Sequence, residues 1–293
     1  MVFYAITLPG GKSVIVCSKL QKFTRLVFKL IDGHLCIGWG KLNNVIKKQT
    51  RRFLMRLINL ESHLFSNSLL SIQAKDLNDF IPSFLPLQIY PQEFNEAMPN
   101  GELKKQFMFI NPMDGKQILF QDNKISFILS FGDNRLTPEN LEEEHNKFLD
   151  FIDGILSRLE NIRPDNSFNR LSYVVRYADI EEFDNELQRI KENTLSTLSW
   201  VNVDKKPTDL NIHYGFREQL EGELINNLAK ITLGFFQTFT PGGAMKQDCF
   251  IKEIDINTID ENRDNRFTYS TAKQLIRQLK VISHQRIIAL NSK

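Results

Sequence analysis

The sequence predicts an α+β protein: a largely antiparallel sheet with helices on one face, preceded by a small N-terminal β-meander and an amphipathic helix. Three observations carry that expectation. Residues 101–130 hold three short apolar segments separated by Asp114-Gly115 and Asp122-Asn123, dipeptides that turn one antiparallel strand into the next. After Gly132 the period changes, and Leu141, Phe148, Phe151, Ile152, Ile155, Leu156 and Leu159 fall on one helical face. Alternation then returns in Leu171, Tyr173, Val175 and Tyr177, giving a β-β-β-α-β unit. Antiparallel hairpins with few β-α crossovers favour α+β over a doubly wound parallel sheet.

Taken in order, residues 2–8 and 13–18 are β-rich runs flanking Pro9-Gly10-Gly11-Lys12, the composition of a hairpin turn. TRLVFKLI and HLCIGWG meet at Asp32-Gly33, so the first 40 residues read as a four-stranded meander. Gly11-Lys12-Ser13 lacks the glycine five positions earlier, where Ile6 stands, and the helix afterwards that a phosphate-binding loop needs. Residues 41–65 are predicted as the covering helix, with Leu42, Val45, Ile46, Phe53, Leu57, Leu60 and Leu64 on one arc and Lys47, Lys48 and Arg51 opposite. No clean period runs through residues 66–100, so a boundary is expected near 66–72. That divides the chain into a basic module over 1–68 and an α+β domain over 69–293.

Further on, Thr137-Pro138 opens the long helix, with proline at a first-turn position, and Arg163-Pro164-Asp165 stops it. Residues 179–198 read as one helix or two short ones. DLNIHYGFREQL, LINNLAKITLGFFQTFT and QDCFIKEIDINT read as three strands, the last two joined through Pro241-Gly242-Gly243. The final segment is a helix with Ser270 as its expected N-cap and Leu275, Ile276, Leu279, Ile282, Ile287 and Leu290 toward the core.

With 42% apolar and 25% charged residues over 293 positions, the chain can bury a sizeable core, and its 23 phenylalanines read first as core fillers. The net charge of +2 conceals an asymmetry: residues 1–60 hold eleven Lys or Arg against one Asp. Cys17, Cys36 and Cys249 are odd in number and form no CxxC pair, which suits free thiols in a reducing compartment. No apolar run approaches the ~18 residues of a membrane span, and MVFYAITLPGGK lacks the features of a signal peptide, so a cytoplasmic protein is expected.

Two groups of side chains are candidates for function. Lys47, Lys48 and Arg51 form a basic face that reads as solvated, as a polyanion-binding surface, or as a membrane-surface helix; a nucleic acid or an acidic protein is the partner it would fit. In CFIKEIDINT, alternation places Glu253, Asp255 and Asn257 on one strand face, and in residues 168–179 it places Arg170 and Arg176 opposite the apolar face. An Arg-carboxylate lattice across neighbouring strands explains these four charges more cheaply than a metal or catalytic pair. Lys252-Glu253 reverses the acidic-x-Lys order of a PD-(D/E)xK nuclease. His34, His63, His145, His213 and His284 have no metal-ligand spacing to one another or to a cysteine, so no metal and no cofactor is expected; His213 beside Tyr214 is the one candidate general base.

QFMFINPMDGKQILFQDNKISF, FNRLSYVVRY and CFIKEIDINT with its following helix resemble, over roughly residues 101–290, a sporadically distributed, profile-defined family of prokaryotic hypothetical proteins. The Pro-Pro-aliphatic-x-Glu opening of that family is absent, and residues 1–65 have no counterpart in it. The resemblance implies no activity. With no GxSxG, HExxH or nucleotide-binding glycine fingerprint, the sequence favours a non-enzymatic binding or accessory protein, with a nucleic-acid-processing enzyme of a mobile-element or defence context as the alternative.

Overall fold

A computed structural model describes residues 2–8, 12–18, 55–97, 101–132, 135–136, 138–179, 183–193, 204, 207, 209–240 and 243–291. By internal contacts the chain divides into two compact units, Met1–Arg51 and Arg52–Lys293. In the first, β1 (Val2–Leu8) and β2 (Lys12–Ser18) pair antiparallel with Leu8 opposite Lys12, so Gly11-Lys12-Ser13 leads into a strand and not a helix. The expected strands at 24–40 and the helical residues 41–54, with Lys47, Lys48 and Arg51, lie outside the described residues.

The second unit is built on a mixed-length antiparallel sheet. Its strands are β3 (Met55–Phe65), β4 (Tyr90–Ala97), β5 (Leu103–Ile110), β6 (Lys116–Gln121), β7 (Lys124–Ser130), β8 (Arg135–Leu136), β9 (Arg170–Asp179), β10 (Asn211–Leu220), β11 (Glu223–Thr240) and β12 (Gly243–Thr258). They lie in the order β10-β11-β12-β9-β3-β7-β6-β5-β4, with the short β8 also on β3. The helices are α1 (Leu77–Phe84), α2 (Pro138–Ile162), α3 (Phe183–Asn193) and α4 (Tyr269–Asn291). The apolar faces of α1, α2 and α4 pack on one side of the sheet, in one core with Leu60, Leu64, Tyr173, Val175, Ile254 and Ile256, and Phe183 and Leu187 of α3 pack on Phe250 of β12. No helix among the described residues is long and apolar enough to cross a membrane.

Residues 55–65 correct the sequence reading: they are not the end of a helix but the strand at the middle of the sheet, hydrogen-bonded to β7 and β9. They belong to the second compact unit, which begins at Arg52. The physical reason is a bulge. The register slips between Leu57 and Asn59, and the extra residue, Ile58, restores the strand with its phase reversed. Leu57 and Leu60, three apart as on a helix, thereby reach the same core, and Leu60, Ser62 and Leu64 continue with period 2. Residues 66–72 lie against the same unit: the Ser66 and Leu70 N–H groups donate to the Asn123 and Asp122 carbonyl oxygens, and Leu70 and Ile72 are buried.

Local chemistry explains the turns. Gly115 has φ +73°, and a Cβ there would sit 2.5 Å from the Ser130 carbonyl oxygen, so only glycine fits between β5 and β6. Glu221 and Gly222 both have positive φ between the paired Leu220 and Glu223, the geometry of a two-residue hairpin loop. At the start of α4 the cap is Thr268, not Ser270, which lies inside the helix: its Oγ1 accepts from the Thr271 N–H at 3.3 Å, while Thr271 Oγ1 accepts from the Thr268 N–H at 2.8 Å.

Candidate functional site

Strand alternation sends every second side chain of β3, β7, β9, β12 and β11 to the sheet face opposite the helices, and many of these are polar. Registry aligns them in rows. One row reads Lys230, Glu253, Arg176, Asn59, Ser130; the next reads Leu228, Asp255, Val174, Glu61, Ile128; the next Asn226, Asn257, Ser172, His63, Ser126.

In the first row Arg176 is shared between two carboxylates. Its Nε and Nη2 donate to Glu253 Oε2 at 2.8 and 2.5 Å, and its Nη1 donates to Glu61 Oε1 at 3.1 Å. Glu61 also lies 3.2 Å from His63 Nε2, while His63 Nδ1 is 2.9 Å from Ser126 Oγ. The His63 contact, with Arg176 adding, holds the Glu61 carboxyl below the usual carboxylate range despite burial. Both ring nitrogens of His63 are thus engaged. The structure brings together Arg176 and Glu253, but neither Arg170 nor Asp255 joins them. Arg170 reaches Asn257 Oδ1 at 3.5 Å and exposed Asp260 at 4.0 Å, and Asp255 accepts from Ser172 Oγ at 3.3 Å. Burial raises the Asp255 pKa, with Arg170 among the groups opposing it. The reason is registry: Asp255 lies opposite Val174, and Arg170 projects beyond the last paired residue of β12, Asn257.

A further row, Arg170-Phe65-Lys124, closes this face. The Arg170 guanidinium lies 5.0 Å and the Lys124 ammonium 5.9 Å from the Phe65 ring centroid. Phe65 and its neighbour His63 escape sequence reading because the strand that carries them reads as a helix; Ser126 and Lys124, on a strand that is legible, had no reason to stand out alone.

The other sequence candidate, His213, sits on the edge strand β10 with its neighbour Tyr214 on the opposite face, so the two cannot act together. An open cleft of 730 Å³ between α2 and the β5–β6 turn is lined by Asp114, Lys116, Glu144 and Lys147, but these pair among themselves, at 2.7 Å for Lys116–Asp114 and 2.9 Å for Lys147–Glu144. Among the described residues no group of three His, Cys, Asp or Glu side chains is placed to hold a metal ion.

Beneath the helices lies a second polar group. Fully buried His145 on α2 sets Nδ1 3.1 Å from the Tyr173 hydroxyl, and its Nε2 has no hydrogen-bond partner. His284 of α4 stands edge-on at 5.6 Å, with Lys280 and Glu142 beside it. Burial, reinforced by His284 and Lys280, holds His145 well below the ordinary imidazole range, and burial lowers His284 against the pull of Glu142. With folded-state values below the unfolded ~6.5, the unfolded chain takes up protons first, so stability that is complete above that pH is lost as pH falls through it. The melting temperature is expected to drop between about pH 7 and pH 5, and to drop less in His145→Gln, which cannot titrate. Calorimetry at the two pH values checks this; an identical drop in the variant contradicts it.

No protein-family model matches the chain, and no curated protein and no solved structure matches it.

Proposed function

We propose that this is a non-enzymatic binding protein whose first unit engages nucleic acid through its basic residues, Lys47, Lys48 and Arg51 among them. The observation that supports the reading is that the division of charge follows the division into units. Met1–Arg51 carries nine Lys or Arg against Asp32 alone, a net +8, whereas the remaining 28 basic and 34 acidic residues give Arg52–Lys293 a net −6. A compact basic unit joined to an acidic one concentrates the attraction for a polyanion in one part of the chain. Charge of this kind gives little sequence preference, because phosphates position without specifying.

Replacing Lys47, Lys48 and Arg51 together by Glu takes the first unit from +8 to +2. Anisotropy with labelled RNA and DNA oligonucleotides at about 50 mM salt is expected to report binding by the wild type and its loss in this variant. Unchanged affinity in the variant contradicts the assignment. Binding of polyglutamate but of neither nucleic acid would assign the surface to an acidic protein instead.

A further inference from the structure

The Arg170-Phe65-Lys124 row combines features that the rest of the sheet face lacks. Arg176, Glu61, Glu253 and His63 satisfy one another, as described above. Lys124 contacts the Phe65 ring but lies within ion-pair distance of no carboxylate among the described residues. The ion pair of Arg170, to exposed Asp260, is at the 4.0 Å limit, and the Arg170 Nε is buried with no hydrogen-bond partner. Phe65, half-buried between them, is therefore flanked from the two adjacent strands by Arg170, whose charge also acts on buried Asp255, and by Lys124, which has no carboxylate partner among the described residues.

From this row we infer a single-stranded nucleic-acid contact on the sheet face, in which a base stacks on Phe65 and the Arg170 guanidinium while Lys124 meets an adjacent phosphate. The chemistry is specific to that ligand class. An aromatic ring and a guanidinium plane accept an unpaired base of any kind, and the flanking cations take the backbone charge. An acidic peptide would use the cations but leave the ring without a partner, and a duplex hides its base faces. The long, unpaired Lys124 side chain can leave the ring for a phosphate without breaking an ion pair. These residues all belong to the second unit, so the inference stands apart from the reading of Met1–Arg51.

Three measurements on the full chain test it. Ultraviolet crosslinking of a uridine 12-mer to the wild type, followed by mass spectrometry, is expected to mark the tryptic peptide Leu57–Lys75; crosslinks found only elsewhere overturn the inference. Phe65→Leu, which keeps an apolar side chain, is expected to weaken the 12-mer about tenfold while leaving heparin binding unchanged. Lys124→Ala is expected to flatten the salt dependence for the 12-mer by about one phosphate's worth, a slope change of ~0.7. Equal loss of heparin and 12-mer binding in Phe65→Leu, or no loss of either, overturns the stacking contact. Heparin binding without any 12-mer binding overturns it too, yet leaves the first unit's affinity for polyanions standing.

Discussion

Replacing Lys252 by Met is expected to cost about 3–5 kcal/mol of folding stability, the range for removing one partner from a buried ion group. Lys252 on β12 is 2% exposed, and its ammonium lies 3.0 Å from Asp179 of β9 and 2.8 Å from Glu186 of α3, with the Tyr177 ring at 6.0 Å. Burial alone would disfavour the charged amine, but Tyr177, Asp179 and Glu186 outweigh it and raise its pKa. Removing the cation takes the ammonium away from between the mostly buried carboxylates of Asp179 and Glu186. Urea denaturation checks the loss. Adding Glu186→Gln to Lys252→Met is expected to recover part of it, since one of the two carboxylates that faced the ammonium is then neutral. A Lys252→Met protein as stable as the wild type contradicts this account of how α3 is tied to the sheet.

Phe109→Ala is expected to lose a comparable amount, about 3–5 kcal/mol, for a different reason. The Phe109 ring on β5 is fully buried and packs against Phe84 at 4.9 Å, Phe120 at 5.9 Å and Phe80 at 6.1 Å, so its removal leaves a cavity among three aromatic neighbours. The same strand supplies the contrast: Leu103 is 68% exposed, and Leu103→Ala is expected to change stability by no more than about 0.5 kcal/mol. Denaturant midpoints for the two variants decide the matter, and a loss at Phe109 no larger than at Leu103 contradicts the packing described.

Much of the second unit is legible in the sequence because its local signals agree. Asp114-Gly115 announces a hairpin whose glycine is sterically required, and the helix from Pro138 and the strand from Arg170 carry unmixed periods. The strand Met55–Phe65 is not legible, because one bulged residue lends a half-buried strand the three-residue spacing of a helix. The candidate site was readable to the same extent. Alternation alone places Arg176 and Glu253 on one face, but which charges meet depends on registry between strands far apart in sequence. That registry seats Arg176 beside Glu253, leaves Asp255 opposite Val174, and carries Arg170 past the end of the β12 pairing. Glu61, His63 and Phe65 were hidden with their strand. The Glu221-Gly222 turn was a signal available in the sequence, since a residue followed by glycine between two alternating runs is the pattern of a tight hairpin.

The measurement that bears most directly on the function proposed is the salt dependence of oligonucleotide binding. If Lys47, Lys48 and Arg51 each neutralise one phosphate of a single strand, they contribute a slope of about −2 to log affinity against log salt, and affinity falls by roughly 15- to 20-fold between ~50 and ~200 mM from these three residues alone. Anisotropy titrations of the wild type at the two concentrations are predicted to show at least that fall. Binding that is absent at the lower concentration, or that keeps its strength at the higher one, would contradict the proposal that the basic first unit engages nucleic acid.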